Sequence, residues 1–321
     1  MTVGRRTKHY LNLNYICNEH CVFCASDLTN NVRVPRVQKE LTLEQIRVWI
    51  ARRPPHRNDE VLLAGGEPTL HRQLFGIVSE FAAHCRDITL FTNGVRLAEP
   101  AYARDAIAAG VSTFEIALFG ATPETHEAVT RRRGSFHQTM AALNNLVEAR
   151  RGRRVSVVVR LLVASQSYQH LPDIVRAVHE GAPGVDRFSV NRLILSENAL
   201  GARAMVAWPQ AAEAINEAAR LVLQYGYELC YWPVPLCVFR DENAVFVEDE
   251  VRRYARAGSV QSKLRYLDPL VASGTAVGTT SHGRRALPDV CRSCRYVSVC
   301  GGIEDWYYER FGTTGLGLSA Q

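Results

Sequence analysis

The sequence predicts an α/β protein organised around a parallel sheet. Strand and helix signals alternate with a period of roughly 30 residues, the length of a βαβ unit. Val155 to Val163 is a nearly continuous β-branched run, as in a strand covered on both faces. The polar motifs fall just after strand-like segments, where parallel α/β sheets collect their chemistry.

Tyr10 to Ile16 reads as the first strand, leading into a cysteine-rich loop. Thr42-Leu43-Glu44-Gln45 is a capping box that opens a helix to about Arg53. Val61 to Leu63 is a short strand ending in Gly65-Gly66-Glu67-Pro68, with a helix from Gln73 to Cys85 behind it. Ile88 to Phe91 is a third strand, ending at Thr92-Asn93-Gly94, and Pro100 to Ala109 a third helix. Thr113 to Leu118 is the fourth strand. Thr122 then N-caps a short helix with Pro123 at its first position, and Ser135 with Gln138 caps a longer one to about Arg150. Val155 to Val163, the helix Leu171 to Glu180 and the strand Phe188 to Leu195 complete six units. Six fall short of a closed eightfold barrel. Ser273 to Gly283 reads as a flexible loop, and Gly312 to Gln321 should fray.

Bulk numbers exclude several classes. A chain of 321 residues, 47% hydrophobic and 22% charged, is ordinary for a globular protein of one large domain with at most a small appendage. The formal charge of +6 is almost all arginine, since lysine occurs only at Lys8, Lys39 and Lys263. A modest excess spread along the chain makes no case for a nucleic-acid partner. No apolar h-region follows Arg5-Arg6, and no stretch approaches the ~18 apolar residues that span a membrane. A cytoplasmic location is expected, where clustered thiols argue for metal rather than disulfides.

Cys17, Cys21 and Cys24 form a C-x₃-C-x₂-C run. Thiolates suit iron–sulfur clusters and zinc. On a [4Fe–4S] cluster three cysteines leave one iron open as a reaction site, whereas structural zinc wants four ligands and only His20 lies nearby. Gly-Gly-Glu-Pro at 65–68 offers glycines for close backbone approach and a carboxylate for an ammonium, or is simply a strand-to-helix turn. Arg160 interrupts an apolar strand and needs a partner there, a ligand or a neighbouring strand's carboxylate. Cys237, Cys291, Cys294 and Cys300 form a second group that can hold either zinc or iron–sulfur. Cys85 and Cys230 read as core residues, and Arg131-Arg132-Arg133 as a solvated run. His20, His126, His137 and His282 have no evident partner.

The three-cysteine run, with Phe23 before its last cysteine, and the Gly-Gly-Glu-Pro motif together resemble the radical S-adenosylmethionine (SAM) superfamily. That resemblance implies a partial (β/α)₆ TIM-like barrel and a SAM-binding [4Fe–4S] cluster on Cys17, Cys21 and Cys24. It also implies reductive cleavage of SAM to a 5′-deoxyadenosyl radical. It puts SAM against Phe23, Gly65, Gly66, Glu67, Pro68 and Arg160, with Asn93, Glu115 and Asn191 as strand-end polar candidates. Ala117 stands where related enzymes often carry a serine. The second cysteine group, followed by Gly301-Gly302, resembles the auxiliary-cluster regions of the SPASM and twitch subgroups and implies one further [4Fe–4S] cluster. The chain then divides into a core at 1–205 and an auxiliary region at 206–321. The resemblance favours a small-molecule substrate such as a nucleoside, nucleotide or sugar, with an external flavodoxin- or ferredoxin-type electron donor. A peptide maturase is the alternative; many such enzymes place a leader-binding domain before the first strand, so a leader would here need a separate partner. A non-catalytic iron–sulfur electron carrier is the reading from another class. Tyr307, Tyr308 and the loop at 273–285 are candidate substrate-facing groups.

Overall fold

The computed structural model describes residues 7–24, 40–193, 203–232, 234–240, 243, 263–267, 285–297, 300 and 302–316. Most of the flexible-loop stretch at 273–285, and the chain end beyond residue 316, lie outside them.

Eight parallel strands form one sheet in the order β7-β6-β5-β4-β3-β2-β1-β8. In chain order these are β1 (Thr7–Asn12), β2 (Glu60–Ala64), β3 (Asp87–Thr92), β4 (Thr113–Leu118), β5 (Ser156–Val163), β6 (Arg187–Arg192), β7 (Glu228–Trp232) and β8 (Lys263–Leu267). The intervening helices are α1 (Leu43–Arg52), α2 (Leu74–Ala82), α3 (Pro100–Ala109), α4 (Pro123–Thr130), α5 (Ser135–Ala149), α6 (Leu171–Gly181) and α7 (Trp208–Gln224). This is a partial (β/α) barrel, with β7 and β8 at its two edges. The sequence signals find β1 to β6 and miss the two edge strands. A short antiparallel pair, β9 (Arg285–Ala286) and β10 (Ile303–Glu304), precedes α8 (Asp305–Phe311).

Local chemistry explains most element ends. Thr42 accepts from the Gln45 amide while the Gln45 side chain accepts from the Thr42 amide, the expected capping box. Thr122 makes the same reciprocal pair with Thr125. The expected cap of α5 is different: Gly134, at φ 81°, is the N-cap, and Ser135 is the first helical residue. The Ser135 hydroxyl is instead buried against the Thr130 hydroxyl at 2.8 Å, so a side-chain partner outcompetes the cap. The first strand also ends earlier than Ile16, because residues 13–16 turn to meet the motif after β2.

Helix α6 shows why the layers pack. Leu171, Ile174, Val175 and Val178 recur at helical spacing and are all buried. On β4, Phe114, Ile116 and Leu118 are fully buried in the core, each side chain contributing about 1.5–3 kcal/mol. Thr113, Glu115 and Ala117 alternate onto the other face and are only half-buried. β5 is buried on both faces over Val157–Val159, as its composition suggests, and alternates only beyond them, with Arg160 and Leu162 half-buried. Alternation thus gives the barrel an apolar outside under the helices and a polar lumen.

Candidate active site

The loop after β1 is fixed by backbone bonds to the loop after β2. Leu13 N–H donates to Ala64 O at 2.7 Å, Gly66 N–H to Asn14 O at 2.7 Å and Glu67 N–H to Ile16 O at 2.7 Å. A Cβ at Gly66 would sit 2.4 Å from Ile16 O, and one at Gly65 would sit 2.9 Å from Asn14 O. The two glycines therefore exist to seat this turn on the cysteine loop. The backbone that both glycines admit at this turn is the chain's own, at Asn14 and Ile16.

Glu67 is held as closely. Its carboxylate is 1% exposed and accepts four hydrogen bonds: from Thr69 N–H (3.0 Å), Thr69 Oγ1 (2.6 Å), Thr92 Oγ1 (2.7 Å) and Asn93 N–H (2.8 Å). Burial pushes its pKa up, and those donors pull it back. With four donors in place, the carboxylate ties the end of β2 to the end of β3. Pro68 is buried and opens the turn Pro68–Leu70.

The cysteine loop is held from its other side by α4 and the residues after it. His20 N–H donates to Thr130 O at 2.9 Å, Val22 N–H to Val129 O at 3.0 Å, and the Arg132 guanidinium to Asn18 O at 3.0 Å. Asn93 Nδ2 donates to Asn18 Oδ1 at 2.7 Å. Asn93 is thus a brace between the Glu67 network and the cysteine loop. Arg132, read from sequence as part of a solvated run, clamps the loop; its flanking arginines are exposed. Nothing in the local pattern separates the middle arginine from its neighbours.

Burial pushes Cys17 up to about 12, and Cys21 well above its ordinary value, with Cys24 opposing ionisation of both and Cys17 that of Cys21. Glu19, buried between them, is pushed up to about 7 by desolvation, and the Cys21 thiol donates to its Oε2 at 3.5 Å. A bound metal centre supplies the positive charge that thiolates need in such a place. Among the described residues no three Cys, His, Asp or Glu side chains close around one ion. A four-iron cluster does not require that, because each thiolate binds a different iron. The donor set fits the cluster.

The lumen carries a linked set of charges. Lys8 pairs with Glu60 at 3.3 Å, Arg160 with Glu115 at 3.5 Å, and Arg187 with Glu228 at 3.6 Å. Burial raises the Glu115 pKa, opposed by Arg160 and more weakly by Arg187 and Lys8. Glu115 stands in the middle of β4, not at its end, and answers Arg160 from the neighbouring strand. Arg160 also lies over the Phe91 ring, 4.9 Å from its centroid. By register it stands two residues beyond Val158, which aligns with Glu115 and Arg187, and so nearer the C-terminal strand ends. Asn191, 3% exposed, donates to Ser189 O and Oγ. Phe23 is buried in a small apolar cluster, edge-on to Phe119 at 5.4 Å and beside Ala164 and Leu193. His126 was missed as a site neighbour: its Nδ1 accepts from Phe119 N–H at 3.2 Å, its ring stacks on Phe119, and burial lowers its pKa to about 4.

Cys237, Cys291, Cys294 and Cys300 line one cavity, with Leu287 and Val297 on its wall. Cys237 comes from the turn Leu236–Val238, over fifty residues before the others, so the fold joins what the sequence could only group. Cys85 is buried and donates to Phe81 O, a core thiol as expected. Tyr307 is not substrate-facing: it is 2% exposed, and its hydroxyl accepts from Trp208 N–H at 2.9 Å. None of the nine cysteines is in a disulfide. Among the described residues no helix is long and apolar enough to cross a membrane.

Residues 11–178 match the Radical SAM superfamily, more than half of the chain. The chain belongs to that superfamily. It is similar to the mycofactocin maturase MftC of Mycolicibacterium smegmatis, with 35% identity over 148 residues, 46% of this chain and 36% of that protein. It is also similar to the GTP 3′,8-cyclase of Marinobacter nauticus, with 29% identity over 175 residues, 53% of this chain and 50% of that protein. The chain therefore spans half or less of the length of these curated relatives. Among solved structures, Streptococcus suis SuiB bound to S-adenosylmethionine superposes with a TM-score of 0.60 at 14% identity, covering 93% of this chain and 73% of that one. That likeness shows the shared fold. The protein is a radical SAM enzyme, and its family works with a [4Fe–4S] cluster and SAM.

Proposed function

We propose that the enzyme abstracts hydrogen from a small, polar, charge-bearing substrate held in the barrel lumen. The observation that carries this reading is the half-buried Arg160–Glu115 pair, in which Arg160 is set nearer the C-terminal strand ends. An ionic lumen repays its desolvation best with a ligand that brings its own charges. When bound at Cys17, Cys21 and Cys24, the cluster and SAM supply the electron and the 5′-deoxyadenosyl radical.

The chain's own residues do the rest. The 65–68 turn and Asn93 keep the cysteine loop rigid under the ligand, with Glu67 as its internal tie. Arg160 turns from its long 3.5 Å pair with Glu115 to an anionic group of SAM or substrate. The Phe23 cluster packs against Cys21 and backs the cysteine loop. The four C-terminal cysteines hold an auxiliary [4Fe–4S] cluster of the SPASM/twitch kind, in a region taken as 206–321, whose first strand β7 extends the core sheet. An external flavodoxin- or ferredoxin-type donor supplies electrons, and thiols outside disulfides suit a reducing compartment such as the cytoplasm.

A peptide substrate is the second reading. It is favoured by the likeness to mycofactocin maturase and to SuiB, whose structure with its precursor peptide SuiA superposes at a TM-score of 0.57. Anaerobically reconstituted protein with SAM and a strong reductant separates the two. Faster 5′-deoxyadenosine formation with pooled nucleotides and sugars supports the first reading. Stimulation only by a pool of candidate peptides replaces it with the second.

A further inference from the structure

We propose that the buried ion pair between Arg192 and Glu304 is a register lock, fixing the four-cysteine site relative to the three-cysteine loop; this rests on the reading of both sites given above. Arg192 is the last residue of β6. Its guanidinium meets the Glu304 carboxylate at 2.5 Å, with both side chains under a tenth exposed, and lies 4.8 Å from the centroid of the Trp306 ring.

The position of this pair distinguishes it from ordinary packing. Arg192 stands between Asn191, buried on β6, and Leu193, which packs in the apolar cluster with Phe23 beside Cys21. Glu304 follows Gly302 and Ile303, which line the four-cysteine cavity, and lies four residues after Cys300. One ion pair thus joins a strand end at the first site to the residue that directly follows a wall residue, Ile303, of the second. Two further contacts hold the same segment down. The Tyr307 hydroxyl accepts from Trp208 N–H at the start of α7, and Gly315 packs so closely on Pro209 that a Cβ there would clash.

Apolar side chains of similar size would hold the segment at least as firmly, because taking two charges out of water is expensive. What an apolar contact does not do is select one register. A hydrophobic patch tolerates sliding, whereas a buried charge accepts only its partner. The pair therefore positions the second site at one separation from the first, and neither residue is a catalytic residue.

The test compares reconstituted wild type with Glu304→Gln and with the double variant Arg192→Met/Glu304→Leu, reading iron content, melting temperature and the dipolar EPR coupling between the two reduced clusters. Wild type should hold about eight irons per chain, as two four-iron clusters require, and show one defined coupling. Glu304→Gln leaves a buried arginine uncompensated, so it should melt earlier and can fail to fold. The double variant is the decisive one. It should recover the wild-type melting temperature and iron content, yet its coupling should broaden into a distribution or vanish. A double variant that keeps the wild-type coupling at matched stability overturns the lock and leaves the two sites standing. About four irons and no coupling in wild type overturns the two-centre reading, and the lock with it.

Discussion

The two cysteine groups are embedded in different surroundings. Around Cys17, Cys21 and Cys24 the walls are polar and hydrogen-bonded, through Asn18, Glu19, Asn93, Arg132 and the Glu67 network, and the loop sits at the ends of parallel strands. Around Cys237, Cys291, Cys294 and Cys300 the wall is apolar, with Leu287, Val297 and Ile303, and a fourth thiol comes from a distant turn. A three-thiol site with polar walls leaves room for a ligand on the metal. A four-thiol site with apolar walls does not, and suits a centre that stores electrons or holds structure. The difference teaches that the number of thiols and the polarity of their walls, more than cysteine spacing, divide the two tasks.

The largest effect expected from breaking this contrast is on the first site. Cys21→Ala should reduce 5′-deoxyadenosine formation to background while circular dichroism keeps the wild-type spectrum. Retained cleavage in that variant would remove the assignment of the loop. Cys294→Ala should act differently, sparing SAM cleavage without substrate and losing substrate turnover once a substrate is in hand. Unchanged turnover would reduce the second centre to a structural one.

A smaller effect is expected at the turn that seats the loop. Gly66→Ala forces a Cβ to within 2.4 Å of Ile16 O, so the cysteine loop must shift. The KM for SAM should rise about tenfold or more, equivalent to about 1.4 kcal/mol or more, while the C-terminal site keeps its iron. An unchanged KM would show that the seating is not needed.

His126 sharpens the contrast through pH. Its pKa falls from 6.5 to about 4 on folding, so the unfolded chain binds more protons between those values. Stability is complete above about pH 6.5 and declines as pH falls toward 4, by an amount on the order of 3 kcal/mol. His126→Phe should flatten that part of the melting-temperature profile, and an unaltered slope would place the titration elsewhere. The smallest effect is at Arg132→Met, which removes the clamp on Asn18 O. Iron should leave the first site a few-fold faster in the presence of a chelator, with the second site unaffected.

Much of this was legible before the fold was known. The capping residues Thr42 and Thr122 encode their role within a few residues. β7 and β8 were not found, because an edge strand is defined by the strand it pairs with, here β6 and β1. The donors that hold Glu67 were not legible, since they come from Thr69 on its own turn and from Thr92 and Asn93 at the end of β3. The Arg160–Glu115 pair was legible only as a need: a charge in a strand must find a partner, and register decides which.

The most direct test of the central claim is 5′-deoxyadenosine formation by anaerobically reconstituted protein given SAM and a strong reductant, alongside the Cys17/Cys21/Cys24 triple-alanine variant. The account predicts nucleoside from wild type well above that control, and more when the substrate pool contains the right molecule. Wild-type protein with a loaded cluster and no nucleoside above the control would contradict it, leaving an iron–sulfur protein that carries electrons without performing radical chemistry.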